Sequence, residues 1–298
     1  MLSNRLVVTA LAPAIWGTTY LVTSELLPPD RPLLAAVVRA LPAGLLLTAM
    51  TRRLPQGDWW WRAFVLGSLN IGAFLALLFV AAYRLPGGVA ATVGAVQPIL
   101  VACLSAGLLG ERLRTRTIVA GAAGVAGVSL LVLRADARLD ALGVAAALGG
   151  AVVMATGVVL AKRWRSPVSP LATTGWQLIA GGLVLVPFMA VFEGLPPALT
   201  GANLAGFAYL SIIGAALAYP LWFHGIRALS PTNVTFLGLL SPLVATALGW
   251  LVLDQRLTPA QLAGGLLVLA AVIAPQLTKE KKPCASPSSA PPVPSAAR

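Results

Sequence analysis

The sequence predicts an all-α integral membrane protein, with ten transmembrane helices arranged as two inverted five-helix repeats. Three observations predict it. The composition is 58% apolar and only 10% charged, with a mean hydropathy of +0.87, which lies outside the range of soluble domains. Ten apolar stretches each approach the roughly 20 residues that a membrane-spanning helix needs. Finally, Gly94-Ala-Val-Gln-Pro98 recurs as Gly238-Leu-Leu-Ser-Pro242, at an offset that also relates Leu85 to Leu229, Arg112-Leu113 to Arg256-Leu257 and Gly121 to Gly265. Five spans per copy is an odd number, so the two copies run in opposite orientations.

The spans fall at 6–25, 33–51, 63–83, 87–109, 117–134, 141–161, 172–192, 204–224, 232–253 and 260–277. Span 1 is too long for a signal-peptide core and lacks a small-residue cleavage site, so it reads as an uncleaved span. Span 2 opens a second register with span 7, in which Arg39 and Gly44 face Gln177 and Gly182 at an offset of 138 rather than 144, which requires a six-residue insertion near 194–197. Span 3 follows Trp59-Trp60-Trp61 and Arg62, an interfacial aromatic anchor. Spans 4 and 9 carry the Gly-x-x-x-Pro breaks. Pro98 and Pro242 each remove a backbone donor and leave the carbonyl four residues earlier, Gly94 or Gly238, without its helical partner. In hydrocarbon such a group must find protein or water, so a matched pair at mid-membrane marks a cavity. Span 5 repeats glycine at 121, 124 and 127; Gly149-Gly150, Gly181-Gly182 and Gly264-Gly265 in spans 6, 7 and 10 likewise allow close helix contact. Span 8 holds Tyr219-Pro220, a further expected kink. The two repeats are placed at 1–137 and 138–278, and the Pro/Ser/Ala-rich stretch 279–298 is expected to be a disordered cytoplasmic tail.

The net charge of +12 invites a nucleic-acid reading, but its distribution removes the need for one. With the N-terminus inside and the sides alternating, Arg5, Arg52, Arg53, Arg62, Arg112, Arg114, Arg116, Lys162, Arg163, Arg165, Arg227 and the basic residues of the tail are cytoplasmic. Only Arg31, Arg84, Arg134, Arg138 and Arg256 lie outside. That bias follows the positive-inside rule and places both termini in the cytoplasm. All nine acids sit at span ends, in loops or in the tail, which argues against a proton antiporter built on a central carboxylate. The single His, the separated Cys103 and Cys284 and the missing phosphate loop leave no metal cluster, disulfide framework or nucleotide site. No cofactor, metal or enzymatic activity is expected. The expected partners are the bilayer and a small-molecule solute, with the chain a monomer.

Several side chains can meet that solute. Trp16, Thr19, Tyr20 and Thr23 follow one helical face of span 1. Asn70 and Phe74 share a face of span 3. Gln97 precedes the span 4 break, where its amide can bind the Gly94 carbonyl or reach a solute; Ser241 is its shorter counterpart. Met154 in span 6 is a weaker lining candidate, as are Thr156 and Leu240. Tyr219 and Trp222 can form an inner aromatic gate. His224 is either a proton carrier or a solvated residue at the helix end. Arg39, a charge within the membrane, must face a cavity or a partner. Either a carboxylate ligand or a structural link to carbonyls or Glu25 fits a guanidinium.

Trp16-Gly17, Arg39, Gln97-Pro98 and Gly110-Glu111-Arg112-Leu113, in this order and in part doubled, resemble the drug/metabolite transporter superfamily. Within it the chain is similar to EamA-type exporters, over residues 6 to 277. The run from Ala12 to Thr23, with Leu-Pro-Pro-Asp-Arg-Pro following, is similar to the PecM-like branch. The resemblance implies export of amino acids or similar small metabolites across the bacterial inner membrane, from a cavity lined by spans 1, 3, 4, 6, 8 and 9, with spans 5 and 10 peripheral. The second copy departs from the family pattern, with Asp254-Gln-Arg-Leu257 displacing the acid by one residue. Efflux of aromatic metabolites, pigments or drugs is a second reading. A non-transporting membrane partner or sensor is a third.

Overall fold

In the computed structural model, residues 2–85, 87–132, 140–196, 198–252 and 257–276 are described. The expected tail at 279–298, and Asp254, Arg256, Arg134 and Arg138, lie outside them. The described residues form ten helical spans, each long and apolar enough to cross a membrane. Span 1 is Leu2–Leu26, span 2 Pro32–Thr51, span 5 Thr115–Val132, span 6 Ala141–Arg163, span 7 Pro170–Phe192 and span 10 Pro259–Gln276. The other four are interrupted. Span 3 runs Trp59–Gly67, a π-helical turn Ser68–Ala73, then Phe74–Arg84. Span 8 repeats this as Gly201–Ser211, Ile212–Leu217 and Ala218–Ala228. Span 4 breaks between Gly87–Gly94 and Gln97–Leu109, and span 9 between Pro231–Leu237 and Leu240–Val252.

Large apolar side chains such as Leu251, Leu266 and Val191 lie exposed around the bundle, where a bilayer would meet them. In lipid such exposure carries no penalty, and helices must instead associate by close packing and hydrogen bonds. The glycines supply that packing. Span 5 lies on span 10 with backbone against backbone: a Cβ on Gly264 would stand 2.6 Å from the Gly127 carbonyl oxygen and 2.8 Å from the Leu131 nitrogen. Span 2 lies on span 7 in the same way, Gly44 meeting the Ile179 nitrogen and Gly175 the Gly44 carbonyl.

The remaining contacts exchange partners between the two halves. Span 1 packs on spans 8 and 9, and span 6 packs on spans 3 and 4. Spans 2 and 7 begin alike, with Pro32 and Pro170 as first residues; span 7 is 23 residues long against 20 for span 2, which takes up part of the insertion.

Side chains tie the span ends together at two faces. At one, here the basic face, Lys162 donates to the carbonyls of Arg227 (2.9 Å) and Leu229 (2.7 Å), Arg227 to Val168 (2.7 Å), and Arg163 to Leu108 (3.4 Å). Trp59, Trp61, Trp164 and Trp176 cluster there around Arg62, as an interfacial belt should. At the opposite face, Glu193 from the end of span 7 accepts from the Leu33 (2.6 Å) and Leu34 (2.8 Å) amides. Those are two of the orphan donors at the start of span 2, and a carboxylate there also suits the helix dipole. Asn203 and Gln261 join the carbonyls of Leu26 (2.8 Å) and Leu131 (3.2 Å) to spans 8 and 10.

Candidate solute pathway

The two π-helical turns are the local events around which the interior is built. They occupy the same place in the two copies, residues 68–73 and 212–217. A π-turn widens the helix and turns backbone groups away from their usual partners, so it persists where the surroundings take those groups up. In span 8 the Gly214 carbonyl accepts from the Trp16 indole nitrogen at 3.0 Å and from the Arg39 Nη2 at 3.0 Å. Both lone pairs of that oxygen are then used. In span 3 the corresponding residue, Asn70, donates its amide to Gln177 at 3.0 Å. Arg39 and Gln177 correspond between spans 2 and 7, so each π-turn is braced by the equivalent residue of the other half.

Pro220 removes the N–H that would meet the Ala216 carbonyl, and Ala216 lies within the π-turn. Span 3 has the same distortion with Ala76 where span 8 has Pro220. The proline is therefore not what the two turns have in common.

Around Gly214 lies an aromatic cluster. Trp16 stands 5.1 Å from Tyr219 and 5.2 Å from Trp222 between ring centroids, both tilted, and Phe223 stacks on Tyr219 at 6.2 Å. Arg39 lies over the Tyr219 ring, 5.7 Å from its centroid. Tyr219, Trp222 and Phe223 are buried, while Trp16 is half-buried. The far edge of Trp222 reaches toward Gly238, where a Cβ would meet it at 3.7 Å. One cluster therefore ties spans 1, 2 and 8 to the break in span 9.

The two broken helices cross at this level. On the basic face Pro231–Leu237 packs against Gln97–Leu109. Beyond the breaks Gly87–Gly94 packs on spans 5 and 6, and Leu240–Val252 on spans 1, 5 and 10. Gly94 sits at the break of span 4, and among the described residues nothing lies within 4 Å of where its Cβ would be. The freed carbonyls fare differently from the expectation. Gly238 is not orphaned, because the Ser241 amide bonds it at 3.1 Å in a tightened i to i+3 turn. Among the described residues Gly94 has no such backbone donor, and the Gln97 amide does not bond it either.

Gln97, Ser241, Thr19 and Phe74 are half-buried near this crossing, and Met154 is buried in the core beside it. Thr23 is exposed, so the polar stripe of span 1 ends one turn below it, and the Tyr20 side chain lies outside the described residues. Asn70 is wholly buried; its Nδ2 donates to Gln177 at 3.0 Å, its Oδ1 has no partner among the described residues, and it shares with Phe74 the side of span 3 that meets span 6. Pro98 is buried and Pro242 half-buried. His224 is exposed at the basic face beside Arg5 and Arg227, the solvated position. Gln177 and Lys162 are legible in the sequence only as the counterpart of Arg39 and as a cytoplasmic charge, not as braces; Gly214 is missed, although the 144 offset pairs it with Asn70.

Lys162 from span 6 closes the ends of spans 8 and 9 at the basic face. Two charge-assisted bonds there contribute on the order of 1.5–3 kcal/mol. Lys162→Met keeps the stem and removes the donors. It is expected to raise the alkylation rate of a thiol placed at Ile226 by roughly tenfold or more. An unchanged rate would show that Lys162 is not part of the closure.

A bundle of ten apolar spans, interrupted in matched places, has the build of a membrane transporter. The chain belongs to the EamA-like transporter family, whose pattern matches twice, at residues 5–133 and 141–274. It is 49% identical over 264 residues to the protein PecM of Dickeya dadantii (strain 3937), covering 88% of this chain and 89% of that one. It is 31% identical over 267 residues to the inner membrane transporter YedA of Escherichia coli (strain K12), covering 87% and 86%. A solved crystal structure shares the fold at a TM-score of 0.80 and 22% identity, covering 92% of this chain and 97% of that one. A PecM-like member of the drug/metabolite transporter superfamily is thus the identity that both the motifs and the relatives give, and the family is one of transporters, not enzymes.

Proposed function

We propose that the protein is a secondary active exporter of small metabolites across the bacterial inner membrane, working by alternating access. The basic face is cytoplasmic, both termini lie there, the two halves are inverted copies, and the monomer is the working unit. The observation that carries the reading is the exchange of partners: span 1 lies on spans 8 and 9 while span 6 lies on spans 3 and 4. Each half can then adopt the other's arrangement, which turns an outward opening into an inward one. In that frame the side beyond Gly94 and Gly238 opens outward and the Pro231–Leu237 contact with Gln97–Leu109 closes the inside.

Amino acids or similar small metabolites are the first substrate class. The cluster of Trp16, Tyr219 and Trp222 supports the second reading, aromatic metabolites, pigments or drugs, because planar solutes stack on such rings. Counterflow in proteoliposomes separates the two. Vesicles loaded with unlabelled amino acids, or with aromatic metabolites, are mixed with labelled members of each set. Saturable uptake that Gln97→Ala abolishes supports the carrier and names its class. Absence of exchange for both sets, by folded protein, overturns it.

A further inference from the structure

Arg39 carries more charge than its structural work needs. It braces the π-turn of span 8 through the Gly214 carbonyl at 3.0 Å. In the equivalent place of the other half the brace is Gln177, buried and neutral, which holds Asn70 at 3.0 Å and the Thr173 carbonyl at 3.3 Å. The two positions differ: Gln177 accepts from a side chain, whereas Arg39 donates to a backbone carbonyl and brings a permanent charge, which is costly within a span.

That charge has no counter-ion. Among the described residues no carboxylate lies within ion-pair distance of Arg39; the ion pairs Arg62–Asp58 and Arg84–Asp140 lie at span ends. Its Nε is sealed from solvent without an acceptor, and only Nη2 is bonded. Two neighbours share the deficiency. The indole nitrogen of Trp222, whose ring lies 5.2 Å from Trp16, has no acceptor, nor does the Thr19 hydroxyl, one turn along span 1 from Trp16. Donors collect where acceptors are missing, beside the faces of Trp16 and Tyr219.

We propose that Arg39 is the carboxylate-binding residue of the pathway, and that the solute is an organic monoanion with a planar apolar body resting on the half-buried Trp16. The inference rests on this chamber being the solute pathway. A carboxylate supplies the acceptors that Arg39 lacks and pairs with the guanidinium through two parallel bonds.

The test is equilibrium dialysis of the protein in nanodiscs against labelled indole-3-acetate and its neutral isostere, indole-3-acetamide. The wild type is expected to prefer the acetate by about tenfold to a hundredfold, the range of a charge-assisted bond. Arg39→Gln, which copies the neutral brace of the other half, should bind both probes equally. Arg39→Lys, which keeps the charge and loses the planar fork, should retain part of the preference; it decides the matter if the glutamine variant does not fold. Equal binding by the wild type, or a preference that survives in Arg39→Gln, overturns the proposal. Wild-type protein that exchanges solutes in counterflow yet shows no preference loses the anion site alone. Protein that exchanges nothing loses the transport reading itself.

Discussion

Gly94→Leu is expected to give a folded, membrane-inserted protein that has lost saturable flux. The fold has room for it: among the described residues nothing lies within 4 Å of the new Cβ. Replacing a helical glycine also gains roughly 0.5–1 kcal/mol of backbone propensity, so stability should hold or rise. The leucine then projects into the open space at the break of span 4, next to Gln97, on the proposed solute pathway. Gel filtration and thermal melting would report the intact fold, and counterflow the lost function. Wild-type flux in this variant would mean that the space at Gly94 faces lipid and that the pathway runs elsewhere.

Gly264→Leu should do the opposite and remove the folded protein. Its Cβ would stand 2.6 Å from the Gly127 carbonyl oxygen and 2.8 Å from the Leu131 nitrogen. These are backbone atoms, and no side-chain rotation relieves them, so spans 5 and 10 must separate. Overpacking costs about 1–3 kcal/mol even where side chains can yield, and more is expected here. Gly264→Ala should fall between, with a lowered melting temperature and some monodisperse protein. Fluorescence-detected gel filtration of detergent extracts would rank the three. Leucine at 264 with an unchanged melting temperature would mean that the two spans are not in backbone contact.

The contrast between these two glycines explains what could be read from the chain. Span number, the broken helices and the glycine interfaces were legible, because hydropathy, proline and glycine impose them locally. The π-turns were not. Span 3 has no proline to announce one, and the braces reach across the fold, Asn70 to Gln177 over 107 residues and Arg39 to Gly214 over 175. Asn70 is legible as a polar group within a span, but its Nδ2 bond to Gln177 depends on a partner that hydropathy cannot reveal. Gly238 was read as an orphan because the proline rule counts only the i to i+4 bond, whereas Ser241 closes a tighter turn at 3.1 Å. Basic residues such as Lys162 were legible as orientation signals; that one of them also closes the ends of spans 8 and 9 depends on where span 6 packs.

The central claim is that the crossing of spans 4 and 9 is one of two arrangements, closed at the basic face and parted beyond Gly94. Paired spin labels measure this directly in reconstituted protein free of Cys103 and Cys284. One pair at Leu108 and Thr232 spans the closed end, and one at Val80 and Leu251 spans the parted end. Adding a transported solute at saturation should shift the populations reciprocally, with the first distance lengthening as the second shortens. Distances that stay single and unmoved while the same preparation carries solute would contradict the account.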